Sequence, residues 1–247
     1  MRKKTGLLFI LLSIGYPSFC QTDTIPYFVP AGVSKAAVEF KPAKSFFLGG
    51  SLLVQAALSP LKPGVEAVSS SGQTEDVKVA AGGGFGIEAF GGQKLGKGFR
   101  FVGTLGFQLA EGIPAIRDWT IEFRKGFASA VLQYEIPVGK AQKIIAGAGP
   151  YFSFSNRLHI KTNLDTNLIV NFKPILSLTG YLRYEYMISD KLGFYAGIRY
   201  QGGTLLVDNA TFQGFNILLN QSPKFMETFD KKDASAIGLE LGILVPL

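Results

Sequence analysis

The chain has 247 residues, 47% of them hydrophobic and only 17% charged, with a mean hydropathy of +0.24. Low charge with high hydrophobicity excludes a disordered chain. One cysteine and one histidine exclude a disulfide scaffold, a Cys/His zinc site and any reaction that needs two histidines. The formal charge of +7 comes from scattered lysines and arginines without a basic run, so nucleic acid is not an expected partner.

The first twenty residues read as an export signal. Arg2, Lys3 and Lys4 form a basic start, Leu7 to Ile14 an apolar run, and Pro17 breaks it before the small residues Ser18 and Cys20. That run is too short to span a bilayer. Two readings of Cys20 compete: the last residue of a cleaved signal peptide (1–20), or a lipidated cysteine. The bulky Phe19 favours cleavage. Removing 20 residues that carry three basic charges leaves 227 residues and a formal charge of +4. Residues 21–44 follow as an expected periplasmic segment, with Ile25, Tyr27, Phe28 and Val29 near or between Pro26 and Pro30.

From residue 45 to 247 the chain alternates with a period of two, the pattern of strands with two unlike faces. Eight strands are expected at about 45–59, 76–91, 98–110, 127–137, 143–155, 175–188, 192–205 and 234–246. The third carries Phe99, Phe101, Leu105, Phe107 and Leu109 on one face, and Arg100, Thr104 and Gln108 on the other. The sixth sets Leu176, Leu178, Leu182, Tyr184 and Tyr186 against Ser177, Tyr181, Arg183 and Glu185. The last sets Ile237, Leu239, Leu241, Ile243 and Val245 against Gly238, Glu240 and Gly242. Soluble strands average about 5–6 residues, whereas crossing a bilayer at a tilt takes about 9–11. The expected connections alternate long and short: the turns 92–97, 138–142 and 189–191 are short, and the loops 60–75, 111–126, 156–174 and 206–233 are long. Outer-membrane barrels sort their connections in this way, with short periplasmic turns and long extracellular loops. The expected fold is therefore all-β: an eight-stranded antiparallel up-and-down transmembrane β-barrel in the cell outer membrane.

The face chemistry assigns an apolar exterior and a polar lumen. Glu88, Arg100, Glu135, Arg183, Glu185, Arg199 and Glu240, with Gln133, fall on the inward face and are read as an ion-pair network. An arginine facing lipid at mid-membrane costs about 2–4 kcal/mol, which forces these groups inward. Tyr134, Phe152, Phe154, Tyr184, Tyr186 and Tyr200 are candidates for aromatic girdles. Eight strands leave an interior that side chains can fill, so no open pore is expected. Pro137 fits a strand end, and Pro150, in mid-strand, predicts a bulge. Glycines 82, 83, 84, 86, 147 and 149 leave room for bends or for large inward side chains.

Chemistry-bearing patterns are scarce, and no catalytic, metal-binding or cofactor-binding residue is assigned. The stretch GGGFGIEAFGG (82–92) has neither a following helix nor a Lys-Ser/Thr, so it does not read as a phosphate cradle. His159, expected in a long loop near Asp165, reads as a solvated histidine. Lys94, Lys97, Lys140 and Lys191 cluster in or beside the short turns, where they serve either anionic headgroups or turn solubility. The long loops carry Trp119, Phe123, Phe212, Phe215, Phe225 and Phe229, and the segment from Thr211 to Phe229 has a short amphipathic helical pattern. These aromatics either bind a partner or pack the loops on themselves.

The segment YEIPVGKAQKIIAGAGPYFSFS (134–155) resembles the central hairpin of the PorT-like outer-membrane β-barrel family of Gram-negative bacteria. The likeness rests on Glu135, Ile136, Pro137, Gly147, Gly149, Pro150 and Tyr151. The closing segment AIGLELGILVPL is similar to that family's G-L-x-x-G strand, although Leu247 stands where an aromatic residue is usual. The resemblance implies an eight-stranded outer-membrane barrel inserted by the barrel-insertion machinery. It implies no single activity. The expected role is a non-enzymatic barrel that anchors or recognises an envelope partner, such as secretion machinery, through its loops or N-terminal segment. The alternatives are a barrel that binds or passes a small apolar or amphipathic ligand, and a lipid-modifying enzyme of the outer membrane.

Overall fold

The computed structural model describes residues 46–68, 74–113, 119–162, 167–217 and 223–247. The expected leader 1–20, the segment 21–44 and Asp165 lie outside the described residues. Eight strands form the wall: β1 (Phe46–Ala57), β2 (Gly84–Gly96), β3 (Phe99–Ile113), β4 (Thr120–Pro137), β5 (Gln142–Lys161), β6 (Ile175–Ser189), β7 (Leu192–Gln201) and β8 (Ala236–Pro246). Each pairs antiparallel with its sequence neighbour, and β1 pairs with β8, so the sheet closes on itself. No described helix is long and apolar enough to cross a membrane. The chain is an eight-stranded antiparallel transmembrane-type barrel.

Closure fixes the stagger of the wall. One rung runs Ser51, Glu88, Gly106, Phe127, Ser153 and Ile175 in one direction. In the other it runs Ser51, Gly242, Tyr195 and Glu185. The two paths reach β6 ten residues apart, and this shear sets the strand tilt. A period of two then points every second residue inward around the ring. Outward positions are apolar and exposed, with Leu52, Leu105, Leu182, Ile198 and Leu241 at mid-height. Exposed aromatics gather towards the two ends: Phe46, Phe99, Tyr134, Tyr186 and Phe194 at one, and Phe85, Phe107, Phe152 and Tyr200 at the other. Side-chain crowding inside is relieved by glycine. Gly49, Gly92, Gly106, Gly147 and Gly242 sit opposite Phe90, Phe47, Phe127, Tyr181 and Tyr195 respectively, and a Cβ on any of them would lie within 2.2–2.8 Å of the facing ring.

The three tight connections lie at one end with the barrel's own two termini. They are Lys97–Gly98, both with positive φ, residues 138–141, and Asp190–Lys191. Lys94, Lys97, Lys140 and Lys191 are all exposed there. The other connections are 58–83, 114–119, 162–174 and 202–235. The second is only six residues long because β3 and β4 run past their expected ends. Residues 120–126 and 155–161 belong to β4 and β5, not to loops, so Phe123 and His159 are strand residues. Apolar Ile121, Phe123, Leu158 and Ile160 face inward there, while Arg124, Arg157 and Lys161 face outward. Outward charge at this height marks where the wall leaves an apolar surrounding.

Two further corrections concern β2 and β5. The second strand is expected from residue 76 but begins at Gly84, because Ala80–Gly83 turn into the barrel. A Cβ on Gly82 would meet the Ala234 carbonyl oxygen at 1.9 Å, and one on Gly83 the Gln55 oxygen at 2.5 Å, an approach only glycine permits. In β5 Pro150 causes no bulge: it sits opposite Leu178, and the pairs Ser129–Tyr151 and Leu132–Ala148 keep one register. The bulge falls at Ser155, whose φ is +53°, and the register slips against Lys125. It switches the inward face of β5 from Tyr151 and Ser153 to Asn156, Leu158 and Ile160.

Candidate functional site

The lumen is built in layers. At the end bearing the tight turns, Phe47, Phe90, Val102, Tyr195 and Leu244 form an apolar floor. Beside it at the same end lies the first ionic group, its Arg100 guanidinium 5.0 Å from the Phe47 ring centre. Arg100 reaches Glu185 at 2.7 Å and Glu135 at 3.2 Å, and Lys143 reaches Glu135 at 2.7 Å. Arg100 also donates through Nε to Gln133, whose amide donates to the Tyr181 hydroxyl.

A second ionic group fills the barrel centre. Arg199 makes a bidentate pair with Glu88, Nη1 to Oε2 at 2.5 Å and Nη2 to Oε1 at 3.0 Å. Arg183 pairs with Glu240 through Nε and, at 3.0 Å, through Nη2. Glu240 Oε2 lies 3.1 Å from Arg199 Nε, and Glu88 Oε1 lies 3.6 Å from Arg183 Nη2. Two guanidiniums and two carboxylates thus form a neutral ring of four. Ser51 donates to Glu88 at 2.7 Å. The Arg183 guanidinium stacks 3.8 Å from the Tyr181 ring centre and 4.6 Å from that of Tyr195. A buried charge is costly unless it is paired and hydrogen-bonded, and every charge of this ring is paired and accepts or donates at least two hydrogen bonds or ion-pair contacts. The space left between these layers, lined by Arg100, Arg183, Glu185 and Tyr195 among others, measures about 10 Å³, too small to pass a solute.

Lys125 of β4 was not anticipated as a lumen residue. It is buried, donates to the Gly82 carbonyl at 2.7 Å and to Gln201 Oε1 at 3.3 Å, and lies 5.6 Å from the Tyr151 ring centre. Among the described residues no carboxylate comes within ion-pair distance of it. Gln55 and Gln108, joined at 2.8 Å, complete this polar layer. The sequence signal for Lys125 was the alternation of 121–125, obscured because a loop was expected there.

Beyond this layer the long connections build their own apolar core. The strand 167–172 pairs with the upper part of β5, and the strand 207–212 pairs with 167–172, so the wall continues past the apolar belt. Leu61, Val77 and Val79 pack with Phe123, Leu158, Phe172 and Val207 inside it. Of the expected helix over 211–229, Thr211, Phe212, Phe215 and Asn216 are instead strand residues, and the described helix is α1 (Pro223–Phe229). Phe229 is 3% exposed and belongs to this core, while Trp119 and Phe225 pack against it. Of the aromatics considered for partner binding, Phe212 is exposed, at 44%, and the Phe215 side chain lies outside the described residues. His159 places Nδ1 3.5 Å from Glu122 and Nε2 3.0 Å from Asn167, on the outer face of β5. Its neighbours supply no nucleophile. No group of described His, Cys, Asp or Glu residues is arranged to hold a metal ion.

Recesses lined by described residues indent the wall at this end. The larger, about 1280 Å³, lies between the upper ends of β1 and β3, and the smaller, about 570 Å³, lies beside the upper ends of β6 and β7.

No protein-family model matches the chain, and no curated protein matches it in sequence. The chain is similar in fold to several solved structures at low sequence identity. Neisserial surface protein A is 16% identical, with 82% of this chain and 97% of that chain covered and a TM-score of 0.47. OprG from Pseudomonas aeruginosa is 12% identical, with 82% and 96% covered and a TM-score of 0.44. Ail, the attachment invasion locus protein of Yersinia pestis, is 8% identical, with 81% and 95% covered and a TM-score of 0.41.

Proposed function

We propose that this chain is a non-enzymatic outer-membrane protein whose barrel is an anchor and whose loop-built end recognises a partner in the envelope or outside it. One observation carries the reading: the lumen is filled by neutral ionic layers instead of being kept open, while the loop end is ordered into an apolar core of its own. A conduit needs continuous space, and porins reach aqueous width at about 16–18 strands. A rigid surface on a membrane anchor is what recognition needs. The apolar exterior with aromatics at both ends supports a bilayer as surrounding solvent. The likeness of 134–155 and 236–247 to PorT-like barrels supports assignment to the Gram-negative envelope. The expected leader 1–20 supplies the export route, and the barrel-insertion machinery is the partner for assembly.

Two measurements test this reading. Reconstituted protein in planar bilayers is expected to show no ion conductance above background. Quantitative co-purification from mild-detergent membranes is expected to lose specific partners when Gln213–Asn216 is replaced by a two-residue turn and Phe212 by serine, with heat-modifiable gel migration unchanged. Steady conductance, or an identical partner list, overturns the proposal.

A further inference from the structure

The barrel wall lacks part of one stave. β1 continues to Ala57 and β3 to Ile113, but β2 begins only at Gly84, opposite Gln55. Above it the chain does not stay in the wall. Ala80–Gly83 fold inward, held by the Lys125 hydrogen bond to the Gly82 carbonyl at 2.7 Å. The wall is rejoined higher up, where Lys78 and Val79 pair with Ile113 and Gly112. Between these levels Ala110 and Glu111 have no strand partner on the β2 side among the described residues. The recess of about 1280 Å³ occupies this gap, with Ala80 of the inward-folded segment in its lining. Its volume exceeds the roughly 300–1,000 Å³ of ordinary small-molecule pockets.

Its lining divides into two chemistries. Ala56, Phe85 and Leu109 are apolar and outward-facing, and Phe85 stands at the rim of the apolar belt, so the recess meets that belt at its lower lip. The far side carries Lys62 and Asp76, paired at 3.0 Å, with Lys78, Glu75 and Glu111. Three carboxylates against two ammonium groups disfavour an anionic head group and suit a neutral or zwitterionic one. The open backbone edge at Ala110–Glu111 adds hydrogen-bonding groups at the same height.

We propose that this recess binds one hydrocarbon chain of a single-chain amphiphile with a zwitterionic or neutral head group, admitted sideways from the lipid and not through the lumen. The chain lies along Ala56, Phe85 and Leu109 at the rim of the belt, and the head sits above them among Lys78, Glu75 and Glu111. The inference is independent of partner recognition by the loops, since it needs neither Phe212 nor 213–216.

The test uses the full protein in lipid nanodiscs, with lysophosphatidylcholine carrying a diazirine in its acyl chain and diazirine-palmitate as the anionic comparison. Photolabelled peptides are mapped by mass spectrometry. Lysophosphatidylcholine is expected to label 56–62 and 109–113 about tenfold more than the belt positions Leu182 and Leu241, and palmitate to label the recess about tenfold less. Ala56→Trp fills the recess from the lipid-facing side and is expected to abolish the excess. Leu109→Trp does the same from β3 and carries the test should Ala56→Trp fail to show heat-modifiable migration. Double replacement Glu75→Gln with Glu111→Gln is expected to raise palmitate labelling of the recess. Labelling spread evenly over the belt, indifference to both tryptophans, or equal labelling by palmitate overturns the proposal.

Discussion

Glu240→Gln isolates the charge of the central ring while keeping its volume. Glu240 is buried and serves two cations, accepting from Arg183 through both oxygens and lying 3.1 Å from Arg199. The amide leaves Arg183 and Arg199 to share Glu88, with one buried positive charge uncompensated. Breaking a buried pair from one side costs about 3–5 kcal/mol. With a urea dependence of about 1–3 kcal/mol per molar, the unfolding midpoint falls by about 1–5 M. The assay is equilibrium urea unfolding in lipid vesicles, followed by gel migration of unheated samples and by tyrosine fluorescence. The double variant Arg183→Met with Glu240→Leu leaves the bidentate Arg199–Glu88 pair intact and the central group neutral, and is expected to recover at least half of the loss. A Glu240→Gln midpoint within about 0.3 M of the native one would falsify the reasoning. So would a double variant as unstable as its two single changes combined, since the energy would then reside in packing and not in charge balance.

Three other outcomes are expected. Lys125→Met removes a buried ammonium that no described carboxylate balances, so its urea midpoint should equal or exceed the native one; a fall of more than about 1 kcal/mol would show that the hydrogen bonds to Gly82 and Gln201 matter more than desolvation. Leu241→Arg, at a mid-height position 60% exposed on the outer face, should cost about 2–4 kcal/mol in vesicles, and a neutral result would deny that this face meets lipid. Phe229→Ala empties a site in the loop core and should cost that core about 3–5 kcal/mol. Limited proteolysis within 202–235 should then accelerate while the barrel keeps its gel migration, and equal protection of the loop would show that α1 is held by something other than Phe229.

What the sequence determined is the alternation and its consequences. A strand's side chains must point to opposite faces, so Arg100, Arg183, Arg199, Glu88, Glu185 and Glu240 could be placed on one side of the wall without coordinates. Strand number and the tight turns followed for the same local reason. The alternation through Ile121–Arg124 and Arg157–Lys161 was equally legible, but the charges on its outer face disguised strand as loop. Tertiary structure alone decided which arginine meets which glutamate. Arg199 and Glu88 are 111 positions apart, and their meeting depends on the stagger fixed when β8 closes on β1, a property that no single strand contains. The inward fold of Ala80–Gly83 is of the same kind. Three successive glycines make such a turn permissible, but only Lys125, Gln55 and Ala234, brought in from distant strands, give it somewhere to go, and with it the gap in the wall.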